Sequence, residues 1–101
     1  MRTIKVLVKK VGEPFKLMEI EDTLENMQGL VGGYLEVFKL KNCTSTMWIN
    51  EEGKLMNLPI NFWVPGDVIV GDVFFTGADE QGDIASITDE QVVEVLRYFG
   101  L

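Results

Sequence analysis

The feature that most constrains the fold is an alternation of apolar and other residues at the start of the chain, in the segment TIKVLVKK. Its regularly spaced apolar positions are Ile4, Val6 and Val8. A period of two predicts a β-strand over about residues 2–10 with one buried face. Turn-forming residues follow at 11–14, and residues 15–20 again have the composition of a strand. The chain therefore begins with a predicted β-hairpin.

Two segments instead have the signals of α-helices. Asp22 is a predicted N-cap, with Glu25 three residues later as in a capping box, for a short helix over about residues 23–31. Near the C-terminus, Thr88 is the predicted N-cap and Gln91 completes a second capping box. The helix that follows has one apolar face, formed by Val92, Val93, Leu96 and Phe99.

The middle of the chain is predicted to be mostly extended. Residues 34–41 and 43–50 are expected strands joined by a tight turn at Asn42, and residues 55–64 are expected to be irregular chain packed on a core. Residues 67–76 and 82–87 are further expected strands, joined by a polar loop. This order predicts an α+β fold, a mostly antiparallel β-sheet with two helices packed on one side of it, the C-terminal helix being amphipathic.

The length of 101 residues suits one domain, predicted to span residues 1–101. Cys43 is the only cysteine, so no intramolecular disulfide forms, and we expect a reducing, cytoplasmic setting. No apolar run approaches the ~20 residues that cross a bilayer, so we expect no membrane association. Cys43 itself is expected to be a small apolar residue within a strand.

Histidine is absent from the sequence, which removes the commonest general base and a leading zinc ligand. Hydrolysis by a serine or cysteine activated by histidine is therefore excluded. Neither a P-loop nor a dinucleotide-binding fingerprint is present. We expect no catalytic residues, no cofactor and no metal site, and hence a protein that is not an enzyme.

Carboxylates support one alternative, a small enzyme or a binder of a small ligand or metal ion. Glu51 and Glu52 lie in a predicted turn, and Asp79, Glu80 and Asp83 lie in the loop GADEQGD. The loop lacks the ligand spacing of an EF-hand and is expected to be a hairpin loop, although its sequence alone leaves cation binding open.

Phe62 and Trp63 are adjacent in the sequence, so in an extended segment their side chains point in opposite directions. Both are expected to fill the core if the chain twists there. If Trp63 is instead exposed, it becomes the anchor of a protein interface, where tryptophan is enriched. The candidate partner-binding residues are therefore Phe62, Trp63, Glu51 and Glu52.

The net charge of −7 is unevenly distributed, since residues 1–16 are rich in lysine whereas residues 50–95 are acidic apart from Lys54. Such an acidic half repels nucleic acid and favours a basic protein partner. The density of negative charge is too low for DNA mimicry, because a duplex carries one negative charge per ~1.7 Å. Pairing of edge strands into a homodimer is an open alternative.

Four blocks of the sequence together resemble a family of short domains of unknown function. They are VGGYLEV (31–37), NEEGKLMNLPIN (50–61), VFFTGADEQGD (73–83) and SITDEQV (86–92). Members of that family occur largely in phages, plasmids and conjugative elements, and many have a longer acidic segment where this chain has FWVPGDVIV. The resemblance brings no catalytic residues. It implies a non-enzymatic accessory protein of a phage or mobile genetic element that acts by protein–protein binding.

Overall fold

The computed structural model describes residues 2–101, and these residues form eight β-strands and two α-helices. The elements are β1 Thr3–Lys9, β2 Lys16–Glu21, α1 Leu24–Val31, β3 Leu35–Phe38, β4 Thr46–Asn50, β5 Ile60–Val64, β6 Asp67–Val70, β7 Val73–Ala78, β8 Ile84–Ala85 and α2 Asp89–Tyr98. Neither helix is long or apolar enough to cross a membrane.

The strands form a main sheet in the order β2-β1-β7-β4-β3, in which β8 also pairs with β7, and a separate ribbon of β5 and β6. Each of these pairings is antiparallel. The predicted opening hairpin is confirmed, since β1 pairs with β2 from Thr3↔Glu21 to Val8↔Lys16. The predicted α+β class with a mostly antiparallel sheet is confirmed.

The core lies on both faces of the main sheet. Phe74 and Phe75 are consecutive residues of the central strand β7, so their side chains point to opposite faces. Phe74 belongs to a buried cluster with Met27 and Val31 of α1, whereas Phe75 belongs to a second cluster with Val95 of α2. The two helices therefore lie over opposite faces, and the expectation that both cover one side is wrong.

The segment from 55 to 87 differs most from its prediction. Residues 55–64, expected to be irregular, contain β5, which pairs with β6. The single strand expected over residues 67–76 is two strands in different sheets, because the chain turns at Gly71, whose φ of 77° is readily available only to glycine. Of the strand expected over residues 82–87, only β8 forms.

The N-cap of α2 is confirmed and that of α1 is wrong by one residue. The Thr88 side chain accepts a hydrogen bond from the Gln91 amide (3.1 Å), and the Gln91 side chain accepts one from the Thr88 amide (3.0 Å). In α1 the N-cap is Thr23, whose hydroxyl accepts from the Asn26 amide at 3.2 Å. Asp22 instead forms an ion pair with Arg2.

The connection between β3 and β4 is longer than the predicted tight turn. Asn42 does adopt a turn conformation, with a φ of 65°. However, β4 begins only at Thr46, so Cys43 lies in the connection rather than in a strand. The Cys43 amide donates to the Leu40 carbonyl within this connection (3.2 Å).

Candidate partner-binding surface

The β5–β6 ribbon separates the two adjacent aromatic residues. The Phe62 ring packs on the Phe99 ring, with 4.8 Å between centroids, and Phe62 lies against the buried cluster of α2. The Trp63 side chain points the other way and is 70% exposed. The expectation that both rings fill the core therefore holds for Phe62 and fails for Trp63.

Asn61 holds the ribbon in this orientation. Its side-chain amide donates to the Lys9 carbonyl of β1 and to the Gly71 carbonyl, each at 2.8 Å. The register of β5 against β6 shifts between Ile60 and Phe62, so Asn61 lies at a β-bulge. Bulges change the direction of nearby side chains. This bulge lies beside Phe62 and Trp63, and alternation along the strand alone does not determine which of their side chains faces the core.

The outward face of the ribbon is apolar. Trp63 is the cross-strand partner of Val68, and Ile60 is the partner of Val70, so the members of each pair share a face. Ile60 is half-exposed. An exposed apolar patch of this kind is typical of a binding surface.

A groove of about 250 Å³ adjoins this patch, and we call it the β6 groove. Phe38 and Ile49, both partly buried, contribute to its lining from β3 and β4. All four residues of β6, Asp67–Val70, form one wall. The remaining lining residues are the exposed Glu36, Glu51, Lys54 and Leu55 and the buried Asn50.

The rim of the β6 groove is acidic. Glu36, Glu51 and Asp67 line it with a single cation, Lys54, which forms an ion pair with Asp67. The hydrogen bond from Lys54 holds the pKa of Asp67 below its usual value, and the Val68 amide, which donates to the same carboxylate at 2.7 Å, contributes further. Asp67 is thus ionised at neutral pH, and the groove lining holds three acidic residues against one lysine.

Asn50 positions the turn that carries Glu51. Its buried side-chain amide donates to the Val31 carbonyl of α1 (3.1 Å), and its side-chain oxygen accepts from the Glu52 amide (2.8 Å). The Glu51 amide donates to the Tyr34 carbonyl at 2.8 Å. The backbone of this turn is therefore held on both sides, whereas the Glu51 and Glu52 side chains are exposed.

The acidic side chain of Asp79 stabilises the loop in which it lies. The Asp79 carboxylate accepts hydrogen bonds from the amides of Gln81 and Asp83, both at 2.9 Å. Neither Asp79 nor Asp83 lines the groove that contains Glu51. Within residues 2–101, no group of three or more cysteine, aspartate or glutamate side chains is placed to hold a metal ion.

Cys43 lines a separate open hollow of about 480 Å³ with Lys41, Arg97 and Tyr98 among its neighbours. Partial burial raises the pKa of the Cys43 thiol, and the nearby Glu94 carboxylate raises it further. A thiol with a raised pKa is protonated at neutral pH and is a weak nucleophile. Cys43 therefore lacks the environment of a reactive cysteine.

The four predicted site residues thus have different positions. Glu51 lines the β6 groove, and Trp63 is the cross-strand partner of Val68, which lines the same groove. Glu52 is exposed next to Glu51 in the chain, and Phe62 packs against the core. Sequence reasoning missed Glu36, Asp67 and the free edge of β6. Asp67 was predicted to begin a strand, but nothing local indicates that this strand lies beside Glu36.

These features describe a small α+β domain with an exposed tryptophan beside an acidic groove. The family model described as Domain of unknown function (DUF3846) matches residues 4–100. The chain belongs to this family. No curated protein and no solved structure matches it significantly.

Proposed function

We propose that this chain is a non-enzymatic accessory protein of a phage or other mobile genetic element, and that it acts in the cytoplasm by binding another protein. The observation that carries the proposal is the exposed Trp63 side chain beside the acidic β6 groove. The resemblance of the sequence to domains encoded by mobile elements supplies the biological context.

Trp63 gives the proposal its energetic support. A large apolar ring that is 70% exposed gains stabilisation only when a partner covers it. Complete burial of a side chain of this size contributes several times the ~0.8 kcal/mol of a buried CH₂ group. Tryptophan is also among the residues that dominate binding energy at protein interfaces.

The charges of the groove support a partner of basic character. The acidic rim of the groove and the net charge of −7 favour a basic surface and disfavour nucleic acid. Complementary charges chiefly increase the association rate and select the partner. Binding is therefore expected to weaken as salt concentration rises, while the contact with Trp63 persists.

The test is affinity capture from the cell that carries the gene, with wild-type protein and Trp63→Ala. The substitution is expected to abolish capture of the partner and to change the free energy of unfolding by no more than about 0.5 kcal/mol, because the side chain is exposed. Leu24→Ala is the matched control, since Leu24 is 61% exposed and belongs to α1, over the other face of the main sheet. A folded Trp63→Ala protein that retains every partner would contradict the proposal.

A further inference from the structure

The β6 groove is bordered by the free edge of a strand. Side chains of a strand alternate between its two faces, yet four consecutive residues, Asp67–Val70, line the groove. The surface they present together is the backbone edge of β6. Within residues 2–101, β6 pairs only with β5, so this edge has no neighbouring strand.

The hydrogen bonds identify which backbone groups face the groove. The Gly71 amide points toward β5, since it donates to the Pro59 carbonyl at 2.8 Å. The Val68 amide donates instead to the side chain of Asp67. Because backbone groups alternate in direction along a strand, the N–H and C=O groups of Val68 and Val70 point away from β5. This spacing of two residues is the one that an added strand requires.

The layering of the domain leaves room for such a strand. The ribbon covers only part of the main-sheet face, and the side chains of Phe38 and Ile49 remain partly exposed at the base of the groove. Packed sheets lie about 10 Å apart and neighbouring strands about 4.8 Å apart. A strand added to β6 would therefore lie over Phe38 and Ile49 at the distance of the existing ribbon.

We propose that the β6 groove binds an extended, basic segment of a partner protein, which pairs with β6 as a third strand of the ribbon. This inference rests on the protein-binding function proposed above. Backbone hydrogen bonds to Val68 and Val70 hold the segment, its apolar side chains pack on Phe38 and Ile49, and its lysine or arginine side chains meet the acidic rim. The neighbouring Trp63 ring contacts the partner beyond this strand.

Charge argues against a second copy of this chain as the occupant. Two copies that met at this edge would bring together two acidic rims, each containing Glu36 and Glu51, on molecules of net charge −7. Like charges at close range oppose association. A basic segment instead neutralises the same groups.

The test uses a capped synthetic peptide of alternating lysine and valine as the probe, with NMR spectra of the isotopically labelled protein. Saturable shifts are expected at the amides of Val68 and Val70 and at Ile49. A peptide of alternating glutamate and valine is expected not to bind. Two further lysine–valine peptides carry methyl groups on alternate backbone nitrogens, so that in each one a different edge cannot donate hydrogen bonds. The peptide whose methylated edge faces β6 is expected to lose binding.

A pair of variants at Val70 separates the backbone contact from the side-chain contact. Val70→Pro removes the N–H that faces the groove without removing one directed at β5, and proline is tolerated on an edge strand in this position. Peptide affinity is expected to fall about tenfold or more in Val70→Pro. Val70→Ala keeps the N–H and is expected to bind within about threefold of wild type.

Several results would overturn the strand proposal. With the lysine–valine peptide, they are the absence of saturable binding and chemical-shift changes confined to other surfaces such as β2. With the variants and the methylated peptides, they are equal losses of affinity in Val70→Pro and Val70→Ala, and full binding by the peptides methylated on either edge. Self-association of the protein through β6 would also contradict the proposal. The methylated peptides keep the test decisive if Val70→Pro does not fold. Failure of the proposed function is a different result, namely retention of every native partner by Trp63→Ala. If Trp63→Ala loses its partner while the β6 edge proves inert, only the strand proposal fails.

Discussion

Gly77 lies where its strand β7 passes close to the backbone of Ser86, and replacing it with alanine tests how tightly the two segments are packed. A Cβ atom at this position would lie 2.5 Å from the Ser86 carbonyl oxygen and 3.0 Å from the Gln91 side-chain oxygen. The first of these atoms belongs to the backbone and cannot rotate away. Gly77→Ala must therefore displace the segment that follows β8.

That displacement disrupts contacts that join three parts of the fold. The Lys5 amide donates to the Ser86 hydroxyl (2.9 Å), and the Ile87 amide donates to the Lys5 carbonyl (3.0 Å). The Gln91 side chain accepts from the Thr88 amide in the capping box of α2. The same small shift thus affects the attachment of residues 86 and 87 to β1 and the start of the C-terminal helix.

The expected loss of stability follows from these contacts. Overpacking costs about 1–3 kcal/mol, and each weakened hydrogen bond adds about 1 kcal/mol. We expect Gly77→Ala to lower the free energy of unfolding by about 3 kcal/mol. For a domain of this size each kcal/mol corresponds to roughly 4–8 °C in Tm, so the decrease in Tm is roughly 12–24 °C. Urea titration measures the free energy of unfolding, and the dependence of that free energy on urea concentration is expected to keep its wild-type slope. Differential scanning calorimetry measures Tm.

Gly29→Ala is the matched control, because it is the same substitution in a different environment. Gly29 lies in α1, and an added Cβ would meet no atom within 4 Å. Alanine there is expected to stabilise the protein by about 0.5–1 kcal/mol, since glycine is a poor residue in a helix interior. A Gly77→Ala protein within about 0.5 kcal/mol of wild type would refute the argument from close backbone approach.

Two further predictions concern the core and the acidic groove. Val95→Ala is expected to lower the free energy of unfolding by about 2–3 kcal/mol in urea titrations, because the Val95 side chain of α2 is fully buried against the sheet. Val93→Ala is the control, and it should change this free energy little because Val93 is 45% exposed. Asp67 has a lowered pKa in the folded state, so its contribution to stability is present above the ordinary aspartate value of about 3.9 and is lost as the pH falls through the lowered one. The stability difference between wild type and Asp67→Asn should therefore vanish in acid, and a difference that persists unchanged at the lowest pH would contradict this assignment.

Local interactions account for the parts of the fold that the sequence predicted. The β1–β2 hairpin depends on alternation and a nearby turn, and the start of α2 depends on Thr88 and Gln91, three residues apart. The N-cap of α1 was assigned one residue too early because Asp22 and Thr23 are both good N-cap residues. In the structure Asp22 pairs with Arg2, which is distant in sequence, and Thr23 accepts the hydrogen bond of the Asn26 amide.

One feature of the sequence does indicate that the helices lie on opposite faces, although it does not follow the alternating pattern of a strand with one buried face. Val73, Phe74 and Phe75 are consecutive apolar residues of β7, and all three are buried. An uninterrupted apolar run is typical of a strand covered on both faces. It indicates two layers of cover, whereas the order of elements along the chain does not specify a side for either helix.

The candidate site was only partly predictable because it depends on a long-range arrangement. Adjacency of Phe62 and Trp63 predicts that an extended chain exposes one of them, but choosing which one requires the bulge at Asn61 and the hydrogen bond from its side chain to Lys9 of β1. The β6 groove likewise requires the turn at Gly71, which places β6 in the ribbon and β7 in the main sheet.

The position of the Asp67 carboxylate connects the stability of the free protein with the proposed binding mode. In the free protein this carboxylate accepts the hydrogen bond of the Val68 amide, one of the groups that an added strand would use. Charged side chains on edge strands commonly prevent unwanted pairing between sheets. Asp67 therefore satisfies one donor of this edge when no partner is bound and, in the proposed binding mode, its negative charge favours a segment that carries cations to replace Lys54. A neutral or acidic strand would have to displace the carboxylate without compensating its charge, so under the strand proposal Asp67 both shields β6 and selects the segment that pairs with it.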